Sequence, residues 1–172
     1  MKRRAFLQSS TALTAAALAS AADTTTPTQV RRMRVALVPG SIGVTAASQR
    51  ELIGLARRHG FEAVEPRATE LAAAGPGEIA AIRSGLADAK LIWAATSLSV
   101  DFRKDDATFR SGLAELPRLA AGLRRAGADR IGTWIPPSHD TLTYRPNLVL
   151  HASRLREVAV ILGDHGIRLG LE

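Results

Sequence analysis

Apolar residues recur along the chain in two alternating rhythms: short aliphatic runs, and longer stretches with apolar positions three and four residues apart. The short runs at 34–38, 61–66, 91–95, 130–135 and 167–172 read as strands, and the stretches at 48–59, 77–89, 107–126 and 147–164 as helices. Leu52, Ile53, Leu55 and Ala56 share one face of the first helix, Ile79, Ile82 and Leu86 one side of the second, and Leu113, Leu116, Leu119 and Leu123 the inward face of the third. Pro39-Gly40 closes the first strand, while Gly60 and Gly166 end helices, as expected of a residue that tolerates left-handed backbone. Pro117 lacks an N–H and clashes with the preceding turn, which predicts a break or kink in the third helix.

Each strand thus follows a helix long enough to cross back over a sheet. Right-handed crossovers of that kind generate parallel pairing. The expected fold class is α/β, a parallel (β/α) arrangement of TIM-barrel type truncated after strand five, with five strands and four helices. A complete, open, flavodoxin-like sheet accommodates the same pattern. Strand order separates the two: 1-2-3-4-5 belongs to the partial barrel and 2-1-3-4-5 to the open sheet.

Composition narrows this further. The 172 residues are 46% hydrophobic but only 4% aromatic, so one core must be built from Ala, Leu, Ile and Val. The formal charge of +7 invites a nucleic-acid reading. However, Lys2, Arg3 and Arg4 belong to a segment expected to be removed, which lowers the charge to +4, and the other arginines lie mostly beside acids, as on solvated helix faces. No nucleic-acid partner is expected. The segment Lys2-Arg3-Arg4-Ala5-Phe6-Leu7, the mildly apolar 12–18 and Ala19-Ser20-Ala21 resemble a twin-arginine export signal over 1–21, cleaved after Ala21. The apolar part is far shorter than the roughly 20 residues a spanning helix needs, so no stable membrane insertion is expected. Residues 22–33, rich in Thr and Pro, read as a flexible spacer before a domain at 34–172. Export implies a periplasmic or extracytoplasmic location and the twin-arginine machinery as a partner. Without cysteine, stability there rests on packing alone.

Candidate chemistry collects at the carboxyl ends of the strands, where parallel α/β folds place their reacting groups. The first strand leads into Pro39-Gly40-Ser41-Ile42-Gly43, which has neither a dinucleotide fingerprint nor the Lys-Ser/Thr of a phosphate loop. The second ends at Glu65, the fourth runs through Trp134 to His139, and the fifth ends at Glu172. No Gly-x-Ser-x-Gly elbow supports a serine nucleophile.

These strand ends carry a family resemblance. Arg57, His59-Gly60-Phe61 with Ala63-Val64-Glu65, Thr133-Trp134, and Asp164-His165-Gly166-Ile167 with Leu169-Gly170-Leu171-Glu172 resemble the N-terminal part of the sugar phosphate isomerase/epimerase family with its xylose isomerase-like TIM barrel, over about 34–172. The resemblance implies a sugar substrate and a divalent metal, Mn²⁺, Mg²⁺ or Co²⁺, held by a Glu ending strand five and by Asp, His and Glu from later strands. Only Glu172 has a counterpart here. It implies Glu172 as both metal ligand and catalytic base, moving a proton at the carbon next to a sugar carbonyl through an enediolate.

Glu65, Trp134 and His139 are the expected substrate-binding residues. Each has a plainer alternative: a structural partner for Glu65, core packing for Trp134, an exposed loop for His139 and a solvated end for Glu172. His59 and His165 sit at helix ends where they complement the dipole, and His151 receives no role. With one metal ligand, these 172 residues are expected to be inactive and to bind no metal tightly. The other readings are an exported, non-catalytic carbohydrate-binding domain and a flavodoxin-like interaction domain.

Overall fold

The computed structural model describes residues 33–172, so the export signal and nearly all of the spacer lie outside the described residues. Within 34–172 the strand segments are β1 (Ala36–Leu37), β2 (Ala63–Val64), β3 (Ile92–Trp93), β4 (Thr96–Ser97), β5 (Arg130–Thr133) and β6 (Arg168–Leu171). The helices are α1 (Gln49–Arg58), α2 (Ala68–Ala73), α3 (Pro76–Asp88), α4 (Asp106–Ala126) and α5 (Tyr144–Asp164), with a 3-10 turn at Pro39–Ile42.

All strand pairs are parallel, in the orders β1-β2-β3 and β4-β5-β6. β3 lies within the expected third strand at 91–95, and β4 extends that strand by a further pairing segment beyond its expected end. Sequential adjacency is what a partial barrel requires, and the flavodoxin-like alternative, which needs the first strand between the second and third, is overturned. The interruption has a local cause. Trp93 shares a face with Leu37 and Val64, and its Nε1 donates to the Ala126 carbonyl of α4 at 2.9 Å. Thr96 shares a face with the buried Ile131. Three steps separate these two helix-facing positions where regular alternation allows an even number, so Ala94-Ala95 holds one extra residue, as a bulge does.

Three expectations need correction. The described residues form five α-helices rather than four. The short α2 was missed because six residues carry too little periodicity; it exists because Arg67 and Glu70 tie it to α1 through Gln49, whose buried side chain accepts from Arg67 N at 2.6 Å while its own N–H donates to Glu70 at 2.8 Å. Of the break or kink expected at Pro117, no break occurs, since α4 runs continuously for 21 residues. Phe109, Leu116, Leu119, Ala120 and Leu123 are buried on both sides of the proline, and burial of large apolar side chains at about 1.5–3 kcal/mol each outweighs the roughly 3 kcal/mol that proline costs. Finally, α5 starts three residues earlier than expected, because Pro146 lies in the first turn, whose N–H groups have no intrahelical partner anyway.

The core lies between the helices and one face of the sheet, centred on Phe102, Phe109, Leu116, Leu123 and Leu162. Gly122 allows α4 to touch α2: a Cβ there would stand 2.5 Å from Ala72 Cα. Among the described residues, no helix is long and apolar enough to cross a membrane.

Candidate functional site

Glu65 follows β2 directly. Its N–H donates to the Leu37 carbonyl at 3.0 Å and its carbonyl accepts from Gln49 Nε2 at 3.2 Å, so the backbone at the strand end is fixed. Partial burial pushes the Glu65 carboxyl above its ordinary value, against the lowering effect of hydrogen bonds from the Ser97 N–H and the Thr96 hydroxyl. Its structural partners are thus the Thr96 hydroxyl and the Ser97 N–H of β4. A half-buried carboxylate with raised proton affinity at a strand's carboxyl end is suited to exchanging a proton.

Trp134 and Glu172 are brought together by strand register. Glu172 N donates to the Thr133 carbonyl at 2.9 Å and Ile135 N to the Glu172 carbonyl at 3.0 Å, which extends the β5–β6 ladder by one rung and sets Glu172 beside Trp134. Alternation puts both on the face of Gly132 and Gly170, opposite the face of Ile131 and Leu169 that meets the core. Two glycines in register leave that face open. A groove of about 370 Å³ runs along it, with Arg130 and Arg168 at one end and Glu172 at the other. Both arginines already pair with Asp129, at 3.4 and 2.9 Å. The Trp134 side chain is 59% exposed, so it is available for stacking rather than buried as core.

The residue that sequence reading missed is Arg103. Its guanidinium lies 4.3 Å from the Phe102 ring centroid and 4.4 Å from that of Trp134, and it donates to Thr133 Oγ1 at 3.0 Å and to the Trp134 carbonyl at 2.6 Å. Arg103 therefore holds Trp134 in place. Nothing in the spacing of Asp101-Phe102-Arg103-Lys104 betrays this, because the contact spans some thirty residues of chain and depends on the β5 register.

His139 follows β5 and is partly buried. Its Nδ1 accepts from Thr141 N and Leu142 N, both at 3.1 Å, so it shapes the β5–α5 loop. His59 and His165 terminate α1 and α5, as expected. The divalent metal fares differently. Among the described residues no three His, Cys, Asp or Glu side chains converge, and Glu172 is exposed and joined to its neighbours through the main chain. These residues do not by themselves fit a metal ion.

With this geometry in place, comparison with known proteins is informative about the fold. No family model matches the sequence, and no curated protein matches it. Solved structures do. A xylose isomerase domain protein from Alicyclobacillus acidocaldarius superposes with a TM-score of 0.63 at 28% identity, over 81% of this chain and 49% of that one. A D-psicose 3-epimerase solved in the presence of D-fructose gives 0.58 at 20% identity, over 80% of this chain and 51% of the other. A 3-keto-D-glucoside 4-epimerase from E. coli gives 0.60 at 13% identity, over 80% and 54%. The chain spans about half the length of these structures. Its fold is that of part of a xylose isomerase-like TIM barrel.

Proposed function

We propose that this chain belongs to a sugar isomerase or epimerase that transfers a proton at the carbon beside a sugar carbonyl. The observation that supports it most is the placement of Glu65 and Glu172 at the carboxyl ends of strands in two sequentially ordered parallel sheets, with the exposed Trp134 in register with Glu172. The barrels it superposes on include epimerases acting on sugars. In this reading Trp134 stacks on the apolar face of the sugar, Glu65 hydrogen-bonds a hydroxyl, and Glu172 takes the proton from carbon and returns it. A divalent ion would stabilise the enediolate, but it needs donors beyond those described, and no step here is routed through one. On this basis the 172 residues bind sugar without turning it over. Export through the twin-arginine machinery to an extracytoplasmic space belongs to the same reading.

The lack of converging metal donors among the described residues favours one second reading, a non-catalytic carbohydrate-binding domain with Glu65, Trp134 and His139 as sugar contacts. Titration of the protein with a ketohexose, followed by Trp fluorescence, tests both. The proposal expects saturable quenching that is lost in Trp134→Ala and weakened in both Glu65→Gln and Glu172→Gln. Quenching indifferent to Glu172→Gln favours the binding domain. No quenching at all overturns both.

A further inference from the structure

Among the described residues β6 pairs only with β5, so its other edge has no strand neighbour. The N–H groups of Arg168 and Glu172 donate to the Asp129 and Thr133 carbonyls, both at 2.9 Å, so the peptide groups of the even-numbered residues turn toward β5. Alternation then turns the N–H and C=O of Leu169 and Leu171 outward, where no second strand meets them. Exposed edges invite pairing, and proteins blunt them by shortness, proline or charge. β1, the other edge, is two residues long and runs into Pro39. β6 has four residues and no proline, and Leu171 on it is 53% exposed.

The charges on β6 attract a second copy in one orientation. Arg168-Leu169-Gly170-Leu171-Glu172 is basic at one end and acidic at the other, with leucines flanking a central glycine. Laid antiparallel on its own copy with Gly170 opposite Gly170, this run sets each Arg168 across from the other copy's Glu172, and each Leu169 across from the other's Leu171. The same register makes the leucines the hydrogen-bonded pairs, because theirs are the peptide groups that face outward. A shift by one residue would set the leucines' peptide groups against backbone already turned to β5. A shift by two would break both charge pairs. Parallel, in-register pairing would bring like charges together. Arg168 meets Asp129 through Nη2, and its side chain is 69% exposed, so the guanidinium keeps donors for a second carboxylate.

We propose that β6 is a homodimer interface, in which two copies of this chain pair their β6 strands antiparallel about a two-fold axis at Gly170. The contact is isologous, so one register satisfies both copies at once. Leu171 then lies beside Leu169 of the second copy, a residue that packs on that copy's core. Strand register and charge carry this independently of the proposed function.

The chain has no cysteine, so Gly170→Cys reports the pairing directly. A Cβ at 170 has the Ile131 carbonyl oxygen as its near neighbour, at an ordinary 3.8 Å, so the substitution fits the strand. Facing residues of a non-hydrogen-bonded pair stand about 4.5 Å apart at Cα, within disulfide reach. Under mild oxidation the full chain carrying Gly170→Cys should become a covalent dimer. Arg168→Cys should not, since the two copies of residue 168 lie about 13 Å apart along the strands. Light scattering on the unaltered chain should give the mass of two chains. Arg168→Glu and Glu172→Arg should each weaken dimerisation by about tenfold or more, by replacing two attractive pairs with two repulsive ones. An equimolar mixture of these two variants should restore the dimer, a rescue that damage to the strand itself would not allow. A monomer at the highest soluble concentration overturns the proposal. So does a dimer that forms no Gly170→Cys cross-link and ignores both charge reversals, which would put the interface on another surface.

Discussion

His151 shows how one buried side chain acquires properties that its neighbours in sequence do not announce. Its ring meets Phe102 edge-on, with centroids 5.0 Å apart and planes at 85°, inside a field of cationic side chains. Because folding lowers its proton affinity, the unfolded chain takes up the proton first as pH falls. The contribution is fully present above the ordinary value of 6.5 and is lost progressively below it. Denaturation midpoints measured at pH 7, 6 and 5 should therefore fall, and His151→Phe should flatten that part of the decline. Arg103 makes a different prediction. Arg103→Ala removes a hydrogen bond to Thr133 Oγ1, one to the Trp134 carbonyl and the cation stacked on the Trp134 ring, so Trp134 emission should shift to the red, with stability lower by about 1–2 kcal/mol. An unshifted spectrum would mean that the β5 register alone orients the indole.

Packing between helices is decided by close approach. α4 carries its proline without breaking because its flanking turns are anchored in the core, and it reaches α2 only where Gly122 has no side chain. Gly122→Ala would place a Cβ 2.5 Å from Ala72 Cα and 2.6 Å from Ala72 N, both backbone atoms that cannot rotate away. The variant should lose about 1–3 kcal/mol or more, read as a lower thermal midpoint, despite the better helix propensity of alanine. The strands obey register in the same way. One extra residue at Ala94-Ala95 lets the third strand pair with β2 through its first half and with β5 through its second.

At the scale of the molecule, β1 and β6 each have one strand neighbour, and large apolar side chains such as Ile92 on β3 and Leu171 on β6 are 39% and 53% exposed. The candidate sugar site is spread along this sheet's carboxyl edge. Its metal chemistry is the weakest part: calorimetric titration of these 172 residues with Mn²⁺ should give at most weak binding, unchanged by Glu172→Gln, because a single exposed carboxylate does not hold a divalent ion against water. Tight Mn²⁺ binding abolished by Glu172→Gln would show that these residues suffice for a metal centre.

The alternation of strand and helix, the caps at Gly60 and Gly166, and the placement of Glu65, Trp134 and Glu172 at strand ends were determined by the sequence itself, because periodicity and turn chemistry are local properties. Tertiary structure alone decided the strand order, the passage of α4 through Pro117, the clamp of Arg103 on Trp134 and the edge-on packing of His151 against Phe102. Each depends on residues brought together across many positions of chain. Local spacing carries no record of such contacts, since packing against distant partners, and not propensity, sets their free energy.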